Sequence, residues 1–259
     1  MGAEIMIQKN NYLGCDDIDD AIRSLALFYG VNSECIRDLY QSNWPDFLPE
    51  DTEPQEFYDL RLVWCIATCL GLKNFISPVG FEAAFYHRTR FNGDSEWFVN
   101  GLLTAQDGMH SFFDKIEPRI GHEPWFKTAR AVALCNLKDR NELEKTTGPH
   151  AYDHFYDAAY GEGKRNFSVP EFCIGSIWDK CAAQEESNQF RLFCEKNLQP
   201  VIVKFLAKPS CVDQYVMHLW FFLFKQRFQV EYTRPLTGCF VGGGRAIPKT
   251  KFIELITNF

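Results

Sequence analysis

The spacing of the strand-like segments limits what this chain can fold into. PVIVKFLA, residues 200 to 207, is β-branched and apolar, which predicts a buried strand. FEAAFYHRT, residues 81 to 89, also has a strand pattern, and RAIPKTKFIELI, residues 245 to 256, predicts a final strand. Helical patterns occupy the sequence between them without regular strand–helix–strand alternation. An α+β fold is therefore expected, rather than a doubly wound parallel sheet.

Several helices are predicted from apolar periodicity and capping signals. Apolar residues recur at helical spacing from Ile18 to Tyr29, and Gly30 is expected to end this helix. FYDLRLVWCIATCL, residues 57 to 70, is apolar almost all round, which predicts a helix at the centre of a core. Ser210, with Asp213 three residues on, is expected to cap a helix that continues through the aromatic run to Phe228.

Composition and charge bound the class of protein. The chain has 259 residues, of which 46% are hydrophobic and 24% charged, as in folded globular proteins with a sizeable core. The net charge of −7 argues against broad electrostatic binding to nucleic acid. The longest apolar run, residues 216 to 224, falls short of the ~20 residues that span a bilayer, so no membrane association is expected. SPVG at residues 77 to 80 predicts a boundary between a helical subdomain, residues 1–78, and a core domain, residues 79–259.

Cysteine and histidine spacings give little sign of a metal site. The ten cysteines include no CxxC pair, and no signal-peptide pattern precedes them, which predicts free thiols and a cytoplasmic location. Cys65 and Cys69 lie four residues apart without a second ligand pair, so no zinc site is predicted. His150 and His154 have the same spacing and two aspartates beside them, and on a helix they would share one face. Gly148-Pro149 favours a loop or strand there, so a metal-dependent hydrolase is left only as an alternative.

The segment FYHRTRFNGDSEWFVNGLL, residues 85 to 103, combines a strand with a short helix that Asp94 or Ser95 is expected to cap. It resembles the first motif of the ADP-ribosyltransferase superfamily, the family of diphtheria-type toxins and poly-ADP-ribose polymerases. In that motif an aromatic-His-x-Thr/Ser strand precedes a short helix that ends in Gly-Leu. The resemblance implies a split-sheet core that binds NAD in the cleft between two half-sheets.

The same resemblance implies roles for residues of this strand. His87 would hydrogen-bond the adenosine ribose of NAD, since a neutral imidazole offers one donor and one acceptor. Thr89 would support the same pocket. Arg88 and Arg90 flank the histidine, and one of them would face the pyrophosphate; a solvated charged edge is the other interpretation of both arginines.

Two later segments resemble the remaining motifs of the family. GPHAYDHFYDAAYG, residues 148 to 161, is similar to the aromatic strand and helix of the second motif. The resemblance implies that Tyr152 stacks on nicotinamide, with Tyr156 and Tyr160 as alternatives on the helix. The other interpretation of these rings is a purely structural core.

The third motif supplies a glutamate that holds the nicotinamide-side ribose. Glu231, in VEYTRP, is the preferred candidate, and Glu254 is the second. The tail also resembles the Ile-Pro turn of bacterial members, in which the glutamate lies a few residues earlier. Here residues 239 to 241, Cys-Phe-Val, hold those positions. This departure makes a catalytically inactive binding or inhibitor module a second hypothesis.

The resemblance as a whole implies an NAD-dependent mono-ADP-ribosyltransferase with a helical N-terminal subdomain. The acceptor implied is a macromolecule, either a protein or a nucleic acid. The negative net charge of the chain favours a protein. Bacterial members of this kind often act as toxins or in phage defence, so a regulatory or antitoxin partner is expected. An NAD glycohydrolase, which needs the same pocket but uses water as acceptor, is a further alternative.

Overall fold

The computed structural model describes residues 11–42, 61–143, 148–161, 184–229, 240 and 242–259. These residues form eight α-helices and a three-stranded sheet, which confirms the predicted α+β class. The helices are α1 (Ile18–Tyr29), α2 (Ser33–Gln41), α3 (Arg61–Cys69), α4 (Ala105–Ile120), α5 (Pro124–Leu143), α6 (Phe155–Tyr160), α7 (Gln184–Asn197) and α8 (Val212–Phe228). The strands are β1 (Ala83–Phe91), β2 (Gln199–Ala207) and β3 (Phe252–Ile256).

The chain divides into two compact units. Unit 1 comprises Met1–Phe85, Tyr152–Asp157 and Leu206–Phe240, and unit 2 comprises Tyr86–Ala151, Ala158–Phe205 and Val241–Phe259. Each unit is therefore assembled from segments that are distant in the sequence. The boundary between residues 78 and 79 stays a prediction.

Helix α1 of unit 1 begins and ends where its local sequence indicates. The Asp17 side chain accepts a hydrogen bond from the amide of Asp20, which satisfies one of the free donors of the first turn. Gly30 adopts the left-handed conformation, with φ of 67°, and its amide donates to the carbonyl of Ala26. Both ends of the predicted helix are thus confirmed.

Helices α3 and α8 depart from expectation in different ways. In α3 the predicted burial on all sides is wrong, because Trp64, Cys65 and Cys69 are exposed while Ile66 is buried. Helix α8 is buried along its middle and packs against α1 and α3. Its N-cap is Cys211 rather than the predicted Ser210. No helix among the described residues has the length and apolar character needed to cross a bilayer.

The three-stranded sheet has the strand order β1-β2-β3. Strands β2 and β3 are antiparallel, with Ile202 opposite Ile256 and Lys204 opposite Glu254. The strands predicted at residues 81–89, 200–207 and 245–256 are therefore confirmed, although the last one occupies only the end of its segment. In unit 2, α5 packs on α4 and α7. Their contact encloses an apolar cluster around the buried rings of Phe113, Phe126 and Phe190.

Candidate functional site

The turn after β1 has the geometry that its sequence predicts. A short 3-10 helix, Ser95–Phe98, follows the strand, and the Asp94 side chain caps it by accepting a hydrogen bond from the amide of Glu96 at 2.9 Å. The predicted short helix and its Asp94 cap are confirmed, although the helix is of the 3-10 type. The strand, the capped turn and the Gly-Leu pair therefore follow one another directly along the chain.

The Gly-Leu pair is bonded to the Ile-Pro segment near the end of the chain. Leu102 and Ile247 exchange two backbone hydrogen bonds, of 2.9 and 2.8 Å. Gly101 has a φ of 78°, and a Cβ atom there would lie 2.0 Å from the carbonyl oxygen of Ile247. Only glycine fits this position, because both the backbone conformation and the close approach exclude a side chain. Two segments of the predicted motifs are thereby brought together within unit 2.

A second close backbone approach joins Gly148-Pro149 to the three-glycine stretch of residues 242–244. The Gly242 amide donates to the Pro149 carbonyl at 3.2 Å. A Cβ atom on Gly148 would lie 2.7 Å from the Gly242 backbone, so neither glycine has room for a side chain. The glycines therefore allow the backbone of residues 148–150 to pack closely on residue 242.

This packed segment positions the ring of His87. The Nδ1 atom of His87 lies 2.7 Å from the carbonyl oxygen of His150. A carbonyl only accepts hydrogen bonds, so Nδ1 carries the proton of this bond, and in an uncharged ring Nε2 would be an acceptor. The partly exposed imidazole thus has a fixed tautomer. A ribose hydroxyl, which can donate a proton, matches this acceptor.

Side-chain alternation along β1 separates the other predicted residues of the strand. Thr89 shares the sheet face of His87, whereas Arg88 and Arg90 project from the opposite face. The Arg90 guanidinium donates to the carbonyl oxygen of Leu198 at 2.5 Å, and its burial lowers the pKa of the group. A contact between either arginine and a pyrophosphate stays a prediction.

In unit 1, the segment of residues 152–157 carries the predicted stacking ring and a buried polar group. Tyr152 is half-buried and lies just before α6. Tyr156, on the helix, is 40% exposed. The third candidate, Tyr160, belongs to unit 2 and is 45% exposed.

His150 and His154 lie outside a helix, as the Gly148-Pro149 pair predicts. Helix α6 begins at Phe155, so both histidines precede it, and His150 is exposed whereas His154 is buried. In the described part of the chain no three His, Cys, Asp or Glu side chains are grouped so that they could hold a metal ion.

Asp153, the residue before His154, forms a buried pair with His218 of α8. Its Oδ2 atom lies 2.5 Å from Nδ1 of His218, and both side chains are at least 95% buried. The other carboxylate oxygen, Oδ1, has no hydrogen-bond partner among the described residues. Burying a carboxylate costs free energy of desolvation, and here the His218 ring is the close partner that offsets most of this cost.

His154 belongs to a second buried chain of polar groups. Its Nε2 lies 3.2 Å from Oδ2 of Asp157, and its Nδ1 accepts from the Asp157 amide at 3.4 Å. Lys225 lies 3.8 Å from Oδ1 of the same carboxylate, and its ammonium is 5.1 Å from the centre of the Tyr156 ring. Burial lowers the pKa of His154, although the Asp157 charge opposes this shift. The neutral ring uses both nitrogens and acts as a side-chain cap for α6.

The partner of Asp153 was missed by the sequence analysis. His218 is the one ionisable residue in the run VMHLWFFLF, where an aromatic helix was expected. A histidine in such a run has to find a polar partner when it is buried. That signal indicates a buried hydrogen bond, but it does not identify an aspartate 65 residues away as the partner.

The predicted glutamates have different outcomes. Glu231 lies outside the described residues, as do Cys239 and Val241 of the departing segment. Phe240 packs against the ring of Phe85 within unit 1, at a centroid distance of 5.0 Å. Glu254 is exposed on β3 opposite the buried Lys204. The choice of the catalytic glutamate stays a prediction.

An open groove of about 630 Å³ runs along α4 in unit 2. Its lining includes His110, Ser111 and Lys115 but none of the residues predicted to bind NAD. The Lys115 ammonium donates to the Trp97 carbonyl, and burial lowers its pKa. This groove therefore has no part in the predicted site.

Comparison with known proteins identifies no relative. No protein-family model matches the chain, and neither a curated protein nor a solved structure matches it. Function has to be inferred from the residues themselves and from their geometry.

Proposed function

We propose that the protein is an NAD-dependent mono-ADP-ribosyltransferase with a split-sheet core. One observation carries the proposal: His87 projects from β1 with its tautomer fixed by the His150 carbonyl. The sequence around it supports the same assignment, because β1 is followed by a capped turn and by a Gly-Leu pair bonded to Ile247.

Each side chain of the proposed site has a role that its chemistry supports. His87 accepts a hydrogen bond from the adenosine ribose, and Thr89, on the same strand face, supports that pocket. Tyr152 offers a half-buried ring for stacking on nicotinamide. NAD supplies the glycosidic bond that is broken when the ADP-ribosyl group is transferred. The Glu231 carboxylate stabilises positive charge that develops on the ribose.

The acceptor in this proposal is a macromolecule. The formal charge of −7 disfavours a long nucleic-acid footprint, so a protein side chain is the preferred acceptor. A cytoplasmic location and a toxin or defence role, with an antitoxin or regulatory partner, complete the proposal. NAD glycohydrolase activity and an inactive binding module remain the alternatives to it.

The proposal is tested with NAD labelled on the adenylate, purified protein and a total cell lysate. Protein, nucleic-acid and small-molecule fractions are counted separately, and nicotinamide release is measured in parallel. His87→Ala is compared with His122→Ala, a matched control whose side chain is 76% exposed and lies in the loop between α4 and α5. Loss of one hydrogen bond to ribose lowers NAD affinity up to about tenfold, so label falls in the first variant only.

Further variants separate the alternatives. Tyr152→Phe keeps the stacking ring and is expected to retain labelling, whereas Tyr152→Ala is expected to lose it. Glu231→Gln should abolish nicotinamide release while NAD still binds. Free ADP-ribose without labelled macromolecules would support the glycohydrolase instead. NAD binding without any nicotinamide release from the wild type would support the inactive module.

A further inference from the structure

Helix α3 presents two thiols on its exposed face. The residues that the helix buries are Leu62, Val63, Ile66 and Ala67. Its exposed stripe contains Cys65 and Cys69, one helical turn apart, with Trp64 beside them at 41% exposure. Both cysteines are free thiols. The stripe therefore offers two sulfur atoms on the same side of one helix.

Helix geometry keeps these thiols too far apart for a disulfide. Side chains four residues apart on a helix have Cβ atoms about 5–6 Å apart. A disulfide needs Cβ atoms about 3.5–4.5 Å apart, so the bond would require the helix to unwind. The turn around Cys69 is closed by hydrogen bonds from the Leu70 amide to Ile66 and from the Leu72 amide to Ala67, both of 2.9 Å. The pair is thus held as a dithiol.

A single thiophilic atom can bridge the pair without unwinding the helix. With metal–sulfur bonds of about 2.3 Å, as in zinc thiolates, two sulfurs on one atom lie roughly 3.8 Å apart. Because each sulfur extends beyond its Cβ, rotation about χ1 brings the two sulfurs to that separation. The Thr68 hydroxyl donates to the Trp64 carbonyl, so it is directed to the backbone rather than to the thiols.

We propose that Cys65 and Cys69 form a bidentate binding site for a trivalent arsenical. Trivalent arsenic forms three bonds, here to the two sulfurs and to the organic group that it already carries. It therefore needs no further ligand from the protein. A structural zinc ion needs four ligands, and no group of three His, Cys, Asp or Glu residues suited to a metal occurs in the described ranges. The arsenic, as R–As(OH)₂, forms two As–S bonds, and two water molecules leave with the thiol protons. No electrons are exchanged.

The site is tested on the reduced full-length chain with phenylarsine oxide as the probe. Binding is followed by intact mass under native conditions and by tryptophan fluorescence. Wild-type protein is expected to bind one equivalent that excess monothiol leaves in place and that dimercaptopropanol removes. Cys65→Ser and Cys69→Ser are each expected to lose at least about a hundredfold in affinity, because the chelate becomes a single bond. Cys35→Ser, which removes an exposed thiol from α2, is the matched control and should bind like wild type.

Three outcomes would overturn the proposal. The first is retention of wild-type affinity by either the Cys65 or the Cys69 variant, since a bidentate site needs both sulfurs. The second is a Cys65–Cys69 disulfide in the natively folded protein after diamide treatment, identified by peptide mass. That bond would show that the helix lets the sulfurs meet directly. A parallel titration with Cd²⁺ tests the shared thiol chemistry, and binding tighter than that of the arsenical would contradict the three-coordinate assignment.

Discussion

Breaking the buried pair of Asp153 and His218 is expected to destabilise unit 1 strongly. The two side chains are at least 95% buried, and the bond between them is 2.5 Å long. His218→Leu keeps the volume of the side chain but leaves the carboxylate without its close partner. Removing the close partner of a buried carboxylate typically costs about 3–5 kcal/mol, because the group is left uncompensated in a poorly polarisable interior. Asp153→Ala is expected to fall in the same range, with a small cavity contribution.

The double variant distinguishes a coupled pair from two independent core positions. When both members are removed, no uncompensated charge is left, so the double variant should be less destabilised than the sum of the single variants by at least about 2 kcal/mol. Urea unfolding followed by circular dichroism at 222 nm measures each free energy. With a slope of about 2 kcal/mol per M, each single change lowers the midpoint by roughly 1.5–2.5 M. Single effects below 1 kcal/mol, or strictly additive ones, would refute the reasoning.

Two further predictions concern a glycine and a histidine. Gly101→Ala should lower the free energy of unfolding by at least about 2 kcal/mol, since its methyl group would lie 2.0 Å from the Ile247 carbonyl oxygen. Gly30→Ala, whose methyl group would have no atom within 4 Å, should lower it by only about 1 kcal/mol. Thermal unfolding measures both, and equal losses of stability would contradict the close approach at Gly101. Because burial lowers the pKa of His154, the unfolded state binds more protons below the ordinary histidine pKa of about 6.5. The stabilising contribution of His154 is therefore complete above that pH and is lost as the pH falls below it. His154→Asn keeps a capping oxygen for the Asp157 amide but does not titrate in this range. The urea midpoint of this variant should therefore vary less between pH 7 and pH 5 than that of the wild type. An unchanged pH dependence would show that His154 is not the group responsible.

Local signals in the sequence were enough to place many elements. Helix α1 ends at Gly30, and the turn after β1 is capped by Asp94, because each depends on hydrogen bonds between residues a few positions apart. Strand β2 follows from its β-branched, apolar run, which suits a fully buried strand. These features need no knowledge of the rest of the chain.

Signals that depend on the surroundings of an element were less reliable. The composition of α3 predicts burial on all sides, yet Trp64 and both cysteines are exposed, since composition does not show which faces find partners. The i,i+4 spacing of His150 and His154 suggests a shared helix face, but Gly148-Pro149 favours a loop or strand, and the helix starts one residue after the second histidine. Spacing has that meaning only inside a helix.

The sequence by itself determined helix α1, the capped turn after β1 and the three strands, and it contains the segments that resemble NAD-binding motifs. Only the tertiary structure decided that His87 is fixed by the His150 carbonyl, that Gly101 touches Ile247, and that Asp153 pairs with His218. The physical reason is the range of the interactions. Caps and periodicities are set by neighbours along the chain, whereas these contacts join residues 63 to 146 positions apart, and only the packing of the folded chain brings them together.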